Sequence, residues 1–142
     1  MSILVTGGAG YIGSHVVRLL LERGEKVIVV DDLSTGTASR VEGAKLITLD
    51  IATDSASTDL ANVMLDEDVT AVVHCAARKQ VGESVRRPMW YYQQNIGGLA
   101  NLLRAMNDVG IDQIIFSSSA SVYGIPDVHI IIEDTECHPI NP

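Results

Sequence analysis

The chain has 142 residues, 46% hydrophobic and 20% charged, enough for one domain with its own core. Its formal net charge of −8 argues against nucleic acid and anionic membrane as partners, since both demand clustered Lys and Arg. No apolar run reaches membrane-spanning length, no basic segment or cleavage site precedes the first strand pattern, and Cys75 and Cys137 lie in no metal-ligand or C-x-x-C spacing, so a reduced cytoplasmic setting is expected.

Residues 3–5 read as the first strand, followed by a glycine-rich turn. Residues 11–23 read as a helix with Ile12, Val16, Leu19 and Leu20 on one face and Gly24 just past its end. Residues 27–30 are continuously apolar, as in a strand covered on both faces, and Asp31 closes the run. A third strand over 46–49, a helix near 57–65 and a fourth strand over 71–74 follow. Pro88 starts a long helix whose Leu99, Leu102, Leu103 and Met106 form the buried stripe, and Gly110 ends it. Residues 114–116 make the fifth strand, and beyond Gly124 the pattern weakens into loop with one apolar run at 130–132. The alternation implies an α/β, Rossmann-type doubly wound parallel sheet in strand order 3-2-1-4-5. One dinucleotide-binding domain over residues 1–142 is expected, truncated, with its further strands and any substrate domain absent.

Gly7, Gly10 and Gly13 form G-x-x-G-x-x-G between the first strand and the first helix, offset from the dinucleotide fingerprint G-x-G-x-x-G. One Gly permits the tight turn, one lets backbone approach a pyrophosphate, and one lets the helix pack close to the sheet. The helix start then offers free N–H groups and a positive dipole end. Asp31 is placed to accept hydrogen bonds from the adenosine ribose hydroxyls. A carboxylate there, with Asp32 beside it and no Arg directly following, repels a 2′-phosphate, so NAD is expected rather than NADP. Asp32 reads equally well as a solvated turn residue. The four histidines, His15, His74, His129 and His138, have no partner spacing for a metal or a triad and read as structural. Tyr91 and Tyr92 read as packing residues, and Cys75 as a small hydrophobe.

The stretch Val5-Thr6-Gly7-Gly8-Ala9-Gly10-Tyr11-Ile12-Gly13-Ser14-His15 resembles the opening of the UDP-glucose 4-epimerases, a branch of the extended short-chain dehydrogenase/reductase family. So do Val81-Gly82-Glu83-Ser84, Phe116-Ser117-Ser118-Ser119-Ala120-Ser121-Val122-Tyr123-Gly124, and the tail Glu133-Asp134-Thr135 with Pro139-Ile140-Asn141-Pro142. The glycine loop is shared across the superfamily; Val-Gly-Glu-Ser is more specific to the epimerase branch. The resemblance implies that Tyr11 and Ile12 lie against the pyrophosphate, Asp31 and Asp32 on the ribose side, and Asp50 and Ile51 beside the adenine. It also implies that Ala76, Ala77, Arg78 and Lys79 form a nucleotide-contacting segment, although Ala77 and Arg78 depart from the commoner Gly-Leu pair. Asn95 matches a cofactor-side Asn, and Ser119, with Ser121 as second choice, matches the hydroxyl that hydrogen-bonds the reacting sugar hydroxyl. Without the resemblance, Lys79 reads as a solvated surface lysine, Asn95 as an exposed helix residue, and residues 117–121 as a loop capping backbone groups.

The superfamily's acid/base chemistry rests on Tyr-x-x-x-Lys, where the Lys charge lowers the Tyr pKa. Here Tyr11, Tyr91, Tyr92 and Tyr123 have His15, Asn95, Ile96 and Asp127 in the Lys position, and the lysines are Lys26, Lys45 and Lys79. The resemblance places the missing Tyr just after Pro142, so the chain as given is expected to be catalytically incompetent. For the complete enzyme it implies interconversion of UDP-glucose and UDP-galactose by transient NAD-dependent oxidation at sugar C4, a UDP-sugar as partner, and a possible homodimer pairing the long helix after Pro88. Other NAD-dependent epimerases and reductases of the extended group stay open, as do two further alternatives. A nucleotide-sugar 4,6-dehydratase would carry an Asp-Glu pair where this chain has Ala120-Ser121, and a non-catalytic NAD-binding module would need only the cofactor half of the site.

Overall fold

Five parallel strands organise the chain: β1 (Ser2–Thr6), β2 (Val27–Asp31), β3 (Lys45–Thr48), β4 (Val69–His74) and β5 (Ile114–Phe116), in the order β3-β2-β1-β4-β5. The structure is a computed structural model and describes residues 1–127 and 129–142. The doubly wound order read from the alternation is the one observed. Every residue of β2 is buried, because helices cover both faces of the sheet at its centre. One face carries Leu4, Ile28, Val30 and Val72 against α2 (Ala56–Asp66) and α5 (Gly98–Val109), through Leu60, Met64, Leu102 and Met106. The other carries Val5, Val27 and Val29 against Val17 of α1 (Tyr11–Glu22).

Helix rotations differ from those the periodicity suggested. In α1 the buried residues are Gly13 and Val17, while Ile12 and Leu19 are 57% and 50% exposed. Close approach at Gly13 sets this rotation: with about 100° between successive residues, putting Gly13 against the glycine turn swings Ile12 out of the core. In α5 the buried side is Leu102, Ala105 and Met106, and Leu103 is 45% exposed. Small Ala105 lets the helix settle on α2, and Leu103 lies round the cylinder from that contact.

A short helix, α3 (Val81–Arg86), precedes the long one and has no signal in the periodicity, being only 6 residues with a glycine in its first turn. The long helix itself is a rod of three pieces. They are α4 (Pro88–Tyr92), with Pro88 in its first turn, a π-helical segment (Gln93–Gly97), and α5, which ends at left-handed Gly110. Tyr91 is buried as expected, but Tyr92 faces outward. Among the described residues, no helix is long and apolar enough to cross a membrane.

Candidate functional site

Between β1 and β4 the winding of the sheet reverses, and the loops after these strands part to leave a crevice at their carboxyl ends. That crevice is a cavity of about 600 Å³. Every residue expected from the sequence to contact cofactor or sugar lines it: Gly7, Gly10, Tyr11, Ile12, Gly13, Asp31, Asp32, Asp50, Ile51, Ala76, Ala77, Arg78, Lys79, Asn95, Ser119 and Ser121.

The glycine turn leaves no room for side chains. Gly7 is left-handed (φ 69°), and a Cβ on it would lie 2.6 Å from the Ala76 backbone nitrogen. A Cβ on Gly13 would lie 2.2 Å from the Gly7 carbonyl oxygen. The turn is locked by Gly7 N–H donating to Val30 O (2.8 Å) and Gly10 N–H to Gly7 O (3.1 Å). Gly10 is the N-cap of α1; no side chain caps it, and no acid sits in the first turn. The start of α1 therefore presents its amide groups and positive dipole end to the cavity.

Asp31 ends β2 and is 7% exposed. Its Oδ2 accepts from the Ala9 N–H (2.9 Å) and its Oδ1 from the Leu33 N–H (2.8 Å), which ties the glycine turn to the β2 loop. Asp32 accepts from the Ser34 N–H (3.0 Å) and hydroxyl (2.6 Å) and forms an ion pair with Arg78. Partial burial pushes the Asp32 carboxyl up, but the Ser34 hydrogen bonds and the Arg78 charge outweigh it and leave it below the ordinary value. Asp32 is thus a turn residue with an additional ionic partner. Asp50 accepts from the Ala52 N–H (2.9 Å), and Ile51 sits between the cavity and the core.

The loop after β4 is anchored to the helical rod. Asn95, in the π-helical segment, accepts from the Arg78 N–H (2.8 Å) and donates to the Arg78 carbonyl (3.0 Å). Tyr91 donates to Glu83 (3.0 Å) and accepts from the Gln80 N–H (3.1 Å); burial and the Glu83 carboxylate push its phenol above the ordinary value. The Glu of Val-Gly-Glu-Ser thus acts by holding the Tyr that holds the loop. Lys79 is exposed at the rim and, among the described residues, makes no ion pair. Ser119 caps the 3-10 turn Ala120–Tyr123 by accepting from the Ser121 N–H (3.2 Å), so the capping alternative holds locally while both serines still face the cavity.

The structure adds Ser34 and Gln94, which no sequence motif singled out, and brings to the cavity Tyr91, read from the sequence as a packing residue, and Asn141 of the tail motif. Gln94 and Tyr91 lie a turn apart on the rod that carries Asn95, and that spacing was the available signal. Buried His74 pairs with the Thr6 hydroxyl (2.7 Å), and burial pushes its imidazole down from 6.5 to about 4. It stays neutral when folded, so the unfolded chain takes up the proton first. The stability gained from keeping it neutral is complete above 6.5 and lost as the pH falls towards about 4. We expect melting curves across that window to fall by up to about 1.4 kcal/mol per pH unit from this residue. His74→Asn should flatten the slope relative to the parent chain; identical slopes would assign the acid sensitivity to other groups.

Residues 3–142 match the NAD dependent epimerase/dehydratase family. The UDP-glucose 4-epimerase of Lactobacillus helveticus is 46% identical over 143 residues, covering 100% of this chain and 42% of that protein. A crystal structure of a UDP-glucose 4-epimerase superposes with a TM-score of 0.93 at 43% identity, covering 99% of this chain and 42% of the other. The Brucella ovis UDP-glucose 4-epimerase in complex with NAD superposes with a TM-score of 0.91 at 41% identity, again over 99% of this chain and 42% of the other. The chain belongs to the NAD dependent epimerase/dehydratase family.

Proposed function

We propose that this member of the family is the NAD-binding domain of a UDP-glucose 4-epimerase, and that its crevice holds NAD. The observation that carries the cofactor reading is the turn with no room for a Cβ at Gly7 or Gly13, set before an uncapped helix start and tied to Asp31. Those parts fit a dinucleotide: main-chain amides for the diphosphate, a carboxylate for the ribose, and Asp50 and Ile51 for the adenine edge. Tyr11 and Ile12 flank the diphosphate; Ala76, Ala77, Lys79, Asn95 and the Arg78 backbone line the path towards the nicotinamide, while the Arg78 side chain reaches back to Asp32 on the ribose side. When bound, NAD supplies reversible oxidation of the sugar at C4. The Ser119 hydroxyl, or failing it that of Ser121, then orients the sugar 4-hydroxyl by hydrogen bonding. Identity to UDP-glucose 4-epimerases over the full chain supports the substrate, a UDP-sugar. The apolar side chains Met89, Tyr92 and Leu103, exposed along the rod, are the surface through which we place a homodimer.

Two measurements on a polypeptide of residues 1–142 test this. Titration calorimetry should show NAD binding, with NADP weaker by at least about tenfold, because the Asp31 carboxylate repels a 2′-phosphate. A preference for NADP would overturn the ribose assignment. The same polypeptide should not interconvert UDP-glucose and UDP-galactose, since none of its tyrosines stands in Tyr-x-x-x-Lys. Turnover free of host epimerase would sink that expectation.

A further inference from the structure

Arg78 spans the crevice. Its root is fixed to the rod: Asn95 grips its backbone on both sides, its Nε donates to Gln94 (3.1 Å), and its guanidinium lies 5.3 Å from the centre of the Trp90 ring. Its tip reaches the far bank, where it pairs with the Asp32 carboxylate and donates to the Ser34 hydroxyl. The two banks are the loops after β4 and β2, and the glycine turn lies between them. The pair is partly shielded, with side chains 20% and 27% exposed, so its attraction is screened less than that of a surface pair.

We propose that Arg78 is a positioning residue that straps the two loops together over the adenosine half of bound NAD and slows its release. This rests on the NAD-binding reading above. An epimerase cycle returns its cofactor to the starting oxidation state, so cofactor exchange between turnovers is unnecessary, and a slow exit keeps the reduced form in place until the sugar is reduced again. The strap sits at the ribose end and touches no reacting atom. Its effect therefore falls on the dissociation rate, as for other shielded charge pairs.

The test is stopped-flow release of NADH, followed by its fluorescence during displacement with excess NAD, from the intact protein and from the variants Arg78→Leu, Asp32→Asn and the double variant. Arg78→Leu should speed release by about tenfold, and the double variant should release no faster than the quicker single one, because both remove one interaction. Arg78→Lys should restore part of the delay. Rising salt should speed release from the parent protein and leave Arg78→Leu nearly unchanged. The salt series on the parent protein serves even if a variant folds poorly. Release from a folded Arg78→Leu protein at the parental rate, independent effects of the two substitutions, or a parental rate insensitive to salt would each overturn the strap while leaving NAD binding intact. If the parent protein binds no NAD or NADH, the proposed function falls and the strap with it.

Discussion

Gly13→Ala is expected to weaken NAD binding by about a hundredfold or more and to lower the melting temperature by about 10 °C. The added Cβ would lie 2.2 Å from the Gly7 carbonyl oxygen, 2.8 Å from the Gly8 Cα and 2.9 Å from the Gly7 carbonyl carbon. All three are backbone atoms, so no side-chain rotation relieves the clash. Helix α1 must back away from the turn, which opens the contact of Val17 with Val5 and Val29. Overpacking of this kind costs about 3 kcal/mol. A shift of about 1 Å also misplaces the amides that face the diphosphate, enough for a hundredfold loss of affinity or more. Gly24→Ala is the control. Nothing lies within 4 Å of its Cβ, but its φ of 80° disfavours a side chain. It should cost about 1 kcal/mol and leave NAD affinity untouched. Calorimetry and thermal melts on the two variants separate the effects, and a Gly13→Ala protein that binds NAD normally would remove the diphosphate role from this turn.

Asp31→Asn should weaken NAD by about 10- to 100-fold while narrowing the gap between NAD and NADP. Both carboxylate oxygens already accept a backbone hydrogen bond, from Ala9 and from Leu33. An amide has one acceptor oxygen, so its NH2 group must face one of these N–H groups. Ala9 is fully buried, and leaving its N–H unpaired costs about 1–3 kcal/mol, which would show as a lower melting temperature. Loss of the charge weakens hydrogen bonds to the ribose but also removes repulsion of a 2′-phosphate. The informative quantity is the ratio of the two dissociation constants. If NAD affinity and that ratio both stay at parental values, Asp31 serves only to hold the turn.

The strand order was legible because each apolar run is short and, except between the second and third, each is separated from the next by a helical stretch, a pattern that a parallel sheet satisfies in few ways. Which side of each helix turns inward was less legible. Sequence periodicity counts apolar residues, whereas α1 is oriented by a residue with no side chain, Gly13, and α5 by small Ala105 as much as by its leucines. Most of the cavity residues were readable because they cluster just after strand ends, Asn95 on the rod being the exception. The Arg78–Asp32 pair was not. The absence of an Arg immediately after Asp31 is a statement about neighbours in the chain, and the guanidinium arrives from 46 residues away. The Thr6–His74 pair, 68 residues apart, was hidden in the same way.

A phosphate seat made from peptide amides has no ionisable group of its own. Across any biological range of acidity the amides at the start of α1 neither gain nor lose a proton, so the hold on a diphosphate stays constant while the rest of the protein titrates. They also demand little of the residues that carry them, so the chemical identity of the exposed positions around the turn can drift without weakening that hold. Charge enters the crevice beside this seat, at the carboxylates that close β2.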